Sequence, residues 1–381
     1  MFPRRPGRVN QNVFPETAGG PSPGRGTTAR GYAGPAMYLR RFVTNSGSRH
    51  RLPLFLPVYQ PHRAAGTLDG WPDGPTFEGC IVNAYFLYKQ RELRRELETG
   101  PGLHDYLKFG GMVATDSGAF QGFTRQLYLN NTDIVRFQDR IGSDVLAPLD
   151  LVSPPGDNRS TAEAKLRATE KRIAKAMTVV ERGILAGVQQ GGRFPDLRHD
   201  SVSFLRDLGV RYLALGSLVP FFNKNHNLAF AGQIAVDARQ VIGPDVPIHV
   251  YGAGDPCELP FLAAMGVSIF DSASYGHYAQ GGWYMTPFGA LTDFGPVLAG
   301  EYRCRCPVCA AGPTAMPDRE GLFEHNLWTI LATVDEMNRR MDEGTFDAYL
   351  DEVLAQHEYW FPGSALGTSW RSVADLRAQL R

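Results

Sequence analysis

Eight short apolar runs recur from residue 53 onward, with loop or helical segments between them. This alternation is typical of a parallel α/β protein, whose strands are covered on both faces. Eight strands over roughly 220 residues match the size of a (β/α)₈ barrel. The runs are Pro53–Tyr59, Cys80–Tyr88, Met112–Asp116, Val145–Asp150, Ile184–Gln190, Tyr212–Leu218, Ile248–Gly254 and Ser268–Ser272.

Polar or glycine residues stand at the ends of most of these runs, where barrel enzymes place their chemistry. A doubly wound sheet would instead need a glycine-rich turn after the first strand, and none follows Tyr59. We therefore predict an α/β fold, a (β/α)₈ TIM barrel with its active site at these strand ends. The residues concerned are Asp116, Asp150, Gln190, Gly191, Gly216, Ser217, Gly252 and Asp271.

The composition along the chain predicts a tail, one large domain and a C-terminal region. Hydrophobic residues make up 43% of the chain, enough for the core of one large domain. Residues 1–36, rich in Gly, Pro and Arg, are expected to form a disordered basic tail. The catalytic barrel is expected to span residues 37–296. A zinc-binding subdomain and C-terminal helices would occupy residues 297–381, including helical patterns at Leu322–Met341 and Phe346–His357.

Hydropathy indicates where in the cell the protein lies, and charge bears on whether it binds nucleic acid. Neither an apolar run of about 18 residues nor an apolar stretch behind the first arginines is present, so we expect a cytoplasmic protein without a membrane span. The formal net charge is zero, without the basic excess common in nucleic-acid-binding proteins. A predicted helix with Lys165, Arg167 and Arg172 is either a basic face or a solvated surface with ion pairs to Glu163 and Glu170.

The chain has five cysteines, an odd number, and three of them crowd into Cys304, Cys306 and Cys309. With His325 they supply three thiolates and an imidazole, the ligands of a closed, structural zinc site. In a reducing compartment this grouping favours a metal over disulfides. The alternative is three reduced cysteines that merely lie near one another.

Aspartates form the second group with chemical potential. A buried carboxylate costs free energy unless it is hydrogen-bonded or used in a reaction. Taken singly, Asp116 and Asp271 could each cap a following helix. Taken together, two carboxylates facing one pocket permit retaining glycosidic chemistry, which makes a sugar–base bond a plausible target. Glycines at neighbouring strand ends would let the backbone approach a flat ligand closely.

Four motifs together resemble the tRNA-guanine transglycosylase family, from about Arg41 to Trp328. They are Thr115–Gln121, Gln189–Gly192 with Pro195–Arg198, Phe270–Ala273, and the cysteine motif ending in His325-Asn326-Leu327. The resemblance implies a (β/α)₈ barrel with a structural Zn²⁺ bound by Cys304, Cys306, Cys309 and His325. It also implies exchange of guanine for a 7-deazaguanine through a covalent aspartyl intermediate.

The resemblance assigns roles to individual residues. Asp271 looks like the nucleophile and Asp116 like the general acid and base. Asp150 and Gln190 would hydrogen-bond the purine edge, and Tyr251 and Phe120 would sandwich its ring. The full set of implied base-binding residues is Asp150, Gln190, Gly191, Gly216, Ser217, Phe120, Gln121, Tyr251 and Gly252.

The segment after Asp271 resembles the archaeosine branch of the family, whereas the chain ends without that branch's RNA-binding domains. We therefore expect DNA as the polymer, modified with a base such as 7-cyano-7-deazaguanine, and tRNA is the alternative. A homodimer and helper proteins are further expected partners. The rival classes are an inactive nucleic-acid-binding zinc barrel and a metal-dependent barrel hydrolase. The hydrolase would need a His/Asp ligand set at strand ends, which the histidines do not occupy. His249, at the start of the seventh run, is expected to be a core or barrel-bottom residue, and His277 a loop residue near the substrate.

Overall fold

The computed structural model describes residues 39–60, 70–71, 73–119, 129–222, 225–310 and 312–380. The expected tail at residues 1–36 and the implied site residues Phe120 and Gln121 lie outside this part of the chain. Eight barrel strands are described: β1 (Leu54–Tyr59), β2 (Gly79–Asn83), β3 (Met112–Asp116), β4 (Val145–Leu146), β5 (Ile184–Leu185, continued by Gly187–Gln189), β6 (Leu213–Leu215), β7 (Ile248–Val250) and β8 (Ile269–Ser272).

All neighbouring strands of this sheet are parallel. The order runs from the first segment of β5 through β4, β3, β2, β1, β8, β7 and β6 to the second segment of β5. Only Ala186 separates the two segments. The Ala186 amide donates to Leu146 O on one side, and the Gly187 amide donates to Tyr212 O on the other, each at 2.8 Å. The sheet therefore closes on itself, which confirms the predicted barrel.

Helices follow the strands and cover the outside of the sheet. They are α1 (Ala84–Lys89), α2 (Arg91–Thr99), α3 (Leu103–Leu107), α4 (Asn131–Arg140), α5 (Arg159–Met177), α6 (Pro195–Asp207), α7 (Ala229–Ile242), α8 (Leu259–Ala264), α9 (Ser274–Gln280), α10 (Gly295–Leu298), α11 (Pro307–Ala310), α12 (Arg319–Asp342), α13 (Phe346–Trp360) and α14 (Leu366–Ala378). Two antiparallel hairpins, Arg41–Val43 with Arg49–Arg51 and Tyr284–Thr286 with Gly289–Leu291, stand outside the barrel. Among the described helices, none is long and apolar enough to cross a membrane.

Several of the predicted strands were too long. The runs Tyr212–Leu218 and Ile248–Gly254 are strands only over Leu213–Leu215 and Ile248–Val250. The run Cys80–Tyr88 is a strand only to Asn83 and then becomes α1, because the Asn83 side chain accepts a hydrogen bond from the Phe86 amide and caps the helix. The run continued to look apolar because α1 buries Ala84, Tyr85 and Leu87. In the run Val145–Asp150 the strand ends at Leu146, two residues before Pro148, which has no amide to donate. The run Ile184–Gln190 is interrupted at Ala186.

A small hydrophobic cluster lies apart from the main core, around the cysteines. It contains Tyr284, Leu291 and Phe294 together with Cys306 and Cys309. Tyr284 and Leu291 precede residue 297, so the cluster starts earlier in the chain than the proposed zinc subdomain. The domain boundaries at 36 and 296 stay predictions.

Candidate active site

Three carboxylates lie at the carboxyl ends of barrel strands, two of them on the adjacent strands β3 and β4 and the third on β8. Asp116 is the last residue of β3, Asp271 belongs to β8, and Asp150 follows β4. Burial raises the pKa of Asp116 to about 6, and the negative charges of Asp150 and Asp271 add to this effect. The three side chains are therefore close enough to influence one another electrostatically.

Asp116 is held by two donors. The Asn83 side-chain amide donates to its Oδ2 at 2.7 Å, and the Gly118 amide donates to its Oδ1 at 3.1 Å. Because Asn83 also caps α1, its side chain is fixed between the helix and the carboxylate. The sequence patterns gave Asn83 no role, although it stands directly at the end of β2.

Asp271 is held on one oxygen. His249 Nε2 lies 2.9 Å from Oδ1, and the Gly252 amide donates to the same oxygen at 3.2 Å. In the described part of the chain, no donor contacts Oδ2. Asp271 does not cap α9, since the Ser274 amide donates to Ser272 Oγ. Asp271 is 8% exposed, so its carboxylate is largely buried.

A chain of hydrogen bonds joins the ends of β4, β5 and β6. Gln190 Nε2 donates to Asp150 Oδ2 at 2.5 Å, Ser217 Oγ donates to Gln190 Oε1 at 2.7 Å, and the Ser153 amide donates to Ser217 Oγ at 2.9 Å. Burial raises the pKa of Asp150 to about 6, against the opposing effect of the Gln190 hydrogen bond. The structure thus brings together three of the predicted base-binding side chains.

A fully buried arginine, Arg198, lies behind this chain. Its guanidinium donates to the carbonyl oxygens of Gly192 at 2.7 Å and Gly216 at 3.0 Å, and to Gln189 Oε1 at 3.0 Å. Burial lowers the pKa of Arg198 to about 9. These contacts tie the loop after β5 to the end of β6.

The predicted glycines make room for protein atoms. A Cβ at Gly216 would lie 2.6 Å from Gln190 Nε2, and one at Gly191 would lie 2.9 Å from Arg198 Cγ. Gly191 also has a φ of +138°, which side chains rarely adopt. These two positions therefore require glycine for internal packing, whatever ligand approaches them.

The end of β7 contributes the remaining predicted residues. Tyr251 and Gly252 follow the strand directly, and the Tyr251 ring meets the His249 ring edge to face with centroids 4.7 Å apart. His249 is 1% exposed, so the prediction of a core residue is confirmed, but its contact with Asp271 was missed. His277 lies in α9.

The cysteine cluster can hold a metal ion such as Zn²⁺. The donor atoms of Cys304, Cys306, Cys309 and His325 all lie within 4.8 Å of one another. His325 Nδ1 is 3.3 Å from Cys306 Sγ and 3.6 Å from Cys309 Sγ. His325 Nε2 lies 2.8 Å from the Met285 carbonyl, which leaves Nδ1 as the metal-binding atom.

A second group of potential metal donors consists of His226, Cys257 and His357. Here the protein supplies hydrogen-bond partners for both imidazoles. His226 Nδ1 is 2.9 Å from Glu258 Oε1, whereas His357 contacts the Phe288 carbonyl and Ser364 Oγ. The His226 contact links the loop before α7 to the start of α8, whereas the His357 contacts link α13 to the turn at Phe288 and to the segment after α13.

The fold and the site together define a closed (β/α)₈ barrel with three carboxylates at its strand ends and, after the last strand, a cysteine cluster that could hold a metal ion. Residues 39–359 match the family model described as queuine tRNA-ribosyltransferase. The chain belongs to this family.

Archaeal relatives give a consistent result. A tRNA-guanine(15) transglycosylase of Methanopyrus kandleri is 33% identical over 328 residues, which cover 84% of this chain and 70% of the relative. The enzyme of the same name from Methanosarcina mazei is 32% identical over 287 residues, 74% of this chain and 58% of the relative. That of Haloarcula marismortui is 30% identical over 347 residues. The chain thus spans little more than half of some of the relatives it matches.

Proposed function

We propose that this protein is a guanine transglycosylase, which replaces a guanine in a nucleic acid with a 7-deazaguanine through a covalent intermediate on Asp271. The observation that carries the proposal is the pair of strand-end carboxylates in unlike surroundings. Asp271 has one oxygen held by two donors, whereas the pKa of Asp116 is raised to about 6 by burial and by its acidic neighbours. Such a pair separates a nucleophile from a proton donor.

In the first half of the reaction, Asp271 attacks the anomeric carbon of the target nucleoside. As the new C1′–O bond forms, the C1′–N9 bond breaks and its electron pair leaves with guanine, which takes a proton from the Asp116 carboxyl group. In the second half, the incoming base gives its N9 proton to Asp116 and N9 bonds to C1′, releasing Asp271. Two displacements at one carbon retain its configuration.

Base recognition is assigned to the chain of Asp150, Gln190 and Ser217. Asp150 offers acceptors for purine N–H groups, and the orientation of the Gln190 amide is fixed by its two neighbours. In this proposal Gly191, Gly216 and Gly252 shape the pocket, Gln121 contacts the base, and Tyr251 and Phe120 stack on its two faces. Because Asp271 is largely buried, the target nucleotide must leave its stack to reach it.

We propose tRNA as the polymer. The names of the archaeal relatives support this alternative, whereas no comparison supports the expected preference for DNA. The inserted base, a homodimer, the need for helper proteins and a cytoplasmic location stay predictions.

We further propose that the metal is a structural Zn²⁺. The donor set of three sulfur atoms and one imidazole leaves no position for water, and His325 is oriented by the Met285 carbonyl. When bound, the ion would join α11 to α12 through Cys309 and His325. The Met285 carbonyl, in contact with His325, would connect the Tyr284–Thr286 hairpin to the same site. The residues of the carboxylate pocket carry the chemistry.

The variant Asp271→Asn tests the reaction. The wild type is expected to form a denaturation-resistant adduct with its nucleic acid and to exchange labelled guanine. Asp271→Asn should do neither while keeping its circular dichroism spectrum, because the amide is a poor nucleophile. Asp207→Asn, at an exposed position, serves as the control with normal activity. Full exchange activity in Asp271→Asn would refute the assignment.

A further inference from the structure

Behind Asp271 lies a line of three buried polar side chains. Tyr212 Oη is 2.9 Å from His249 Nδ1, and His249 Nε2 is 2.9 Å from Asp271 Oδ1. Tyr212 and His249 are 0% and 1% exposed. Tyr212 precedes β6, His249 lies in β7 and Asp271 in β8, so the line crosses three adjacent strands.

The positions of the protons follow from the partners. Burial and the charge of Asp271 raise the pKa of Tyr212 well above its ordinary value, so the phenol keeps its proton. Among the described residues, His249 Nδ1 is the acceptor within reach of that proton. Nδ1 therefore receives a hydrogen bond from the phenol, and Nε2 is the ring nitrogen that donates to Asp271.

Aromatic packing restrains the imidazole further. The rings of Tyr212 and Tyr251 both meet His249 edge to face, with centroids 5.8 and 4.7 Å away. A ring held by packing and by hydrogen bonds at both nitrogens cannot turn without losing several contacts. Its Nε2–H therefore points constantly at Oδ1 of Asp271.

We propose that Tyr212 and His249 are positioning residues for the nucleophile Asp271. This inference rests on the proposed function. The hydrogen-bonded line from Tyr212 through His249 to Asp271, here called the relay, holds Oδ1 together with the Gly252 amide. It thereby directs Oδ2, which no described donor contacts, toward the anomeric carbon. Holding the attacking atom in a near-attack geometry accelerates the covalent step without strengthening the binding of the base.

Three variants separate positioning from general structure. His249→Phe keeps a packed ring but removes the donor, His249→Gln keeps an N–H donor with similar reach, and Tyr212→Phe removes only the hydroxyl group. The measurements are the single-turnover rate of adduct formation on tRNA and the dissociation constant for free guanine. Thermal unfolding of each variant monitors the fold.

We expect His249→Phe to form the adduct at least ten-fold more slowly, since it loses a hydrogen bond to a charged group. His249→Gln should restore the rate to within about three-fold of wild type, and Tyr212→Phe should fall between the two. Guanine affinity should change less than about two-fold in all three, because Asp150, Gln190 and Ser217 are untouched.

A His249→Phe protein that forms the adduct at the wild-type rate would overturn the relay alone. Equal slowing in His249→Phe and His249→Gln with parallel loss of guanine affinity would also overturn it, by showing a merely structural role. Absence of any wild-type adduct on tRNA and on DNA alike would instead refute the proposed function. Tyr212→Phe, with its single missing oxygen, keeps the test available if His249→Phe fails to fold.

Discussion

At the scale of single residues, identical side chains in this pocket differ because their surroundings differ. Asp116 and Asp150 both have a pKa raised to about 6, with burial as the main cause. Asp150 is already engaged with Gln190. Asp116 also accepts hydrogen bonds, from Asn83 and Gly118, which favour its ionised form, but burial and the charges of both other carboxylates outweigh them and favour its protonated form. The acid of the reaction is therefore the group that its neighbours discourage from ionising.

A pH profile follows from this assignment. Adduct formation needs Asp116 protonated, so its single-turnover rate is expected to fall as pH rises through about 6, approaching a ten-fold loss per pH unit. Attack by the incoming base needs Asp116 ionised, so that half-reaction should slow as pH falls through the same value. The two half-reactions are measured separately between about pH 5.5 and 8.

The control for this profile is guanine binding by the free enzyme, which reports on Asp150 and separates its titration from that of Asp116. Half-reactions that respond to pH in the same direction would contradict the assignment of Asp116 as both acid and base. Asp116→Asn should remove the pH dependence of adduct formation together with most of its rate.

At the scale of elements, the sequence predicted a strand or helix boundary only where the boundary residue itself differs from the residues beside it. The ends of β3 and β8 were predicted correctly, because each strand stops at a polar residue. The boundary between β2 and α1 was missed, since both elements bury apolar side chains and the change depends on the cap formed by Asn83. The relay of Tyr212 and His249 was missed because it depends on register between strands, which no local pattern contains.

The link between α11 and α12 depends on the cysteine cluster. Cys306→Ser is expected to lower zinc from about one equivalent to less than about half, because a structural site needs all four ligands. Thermal stability should fall as well, since metal binding contributes directly to folding of such a segment. Cys80→Ser, at another fully buried cysteine outside the cluster, should keep the zinc. Wild-type protein purified without chelator and lacking zinc would contradict the proposed site.

The junction of α8 with the loop before α7 contains a buried ion pair. Burial lowers the pKa of His226, but the Glu258 hydrogen bond and the charges of Asp255 and Glu258 outweigh it and raise the pKa to about 9. Burial also raises the pKa of Glu258. We place the proton on His226, because Asp255 Oδ2, 3.9 Å from its Nδ1, provides a second negative charge.

Glu258→Gln is therefore expected to destabilise the protein by about 3 kcal/mol near neutral pH, by leaving a buried cation with a weaker partner. The raised pKa means that the pair's contribution is fully present below about pH 6.5 and is lost as pH rises through about 9. Urea denaturation at about pH 6 and about pH 10 should thus show a large and a small difference from wild type. Glu352→Gln, in an exposed pair with Arg340, should change stability by less than about 1 kcal/mol. Equal losses at both pH values would contradict the ion pair.

At the scale of the whole molecule, charge does not identify the polymer. The net charge is zero, and several cations of α5 are engaged within the protein: Lys165 pairs with Asp157 and Arg167 with Glu170. Arg172 donates to the Leu149 carbonyl, next to Asp150. These contacts favour the solvated interpretation of α5 over a basic binding face. The family relationship extends across the barrel, and it is the relatives' names that favour tRNA.

Labelled guanine offered with tRNA, single-stranded DNA and duplex DNA in parallel tests the polymer. We expect incorporation into tRNA alone, and the Asp271→Asn protein in each reaction corrects for binding without exchange. Attack by the largely buried Asp271 requires an unstacked nucleotide, so a tRNA loop should react faster than a paired stem of the same sequence. Incorporation into either form of DNA with none into tRNA would reverse the proposed polymer. The carboxylate chemistry would still stand, because C1′ is attacked in the same way in ribose and deoxyribose.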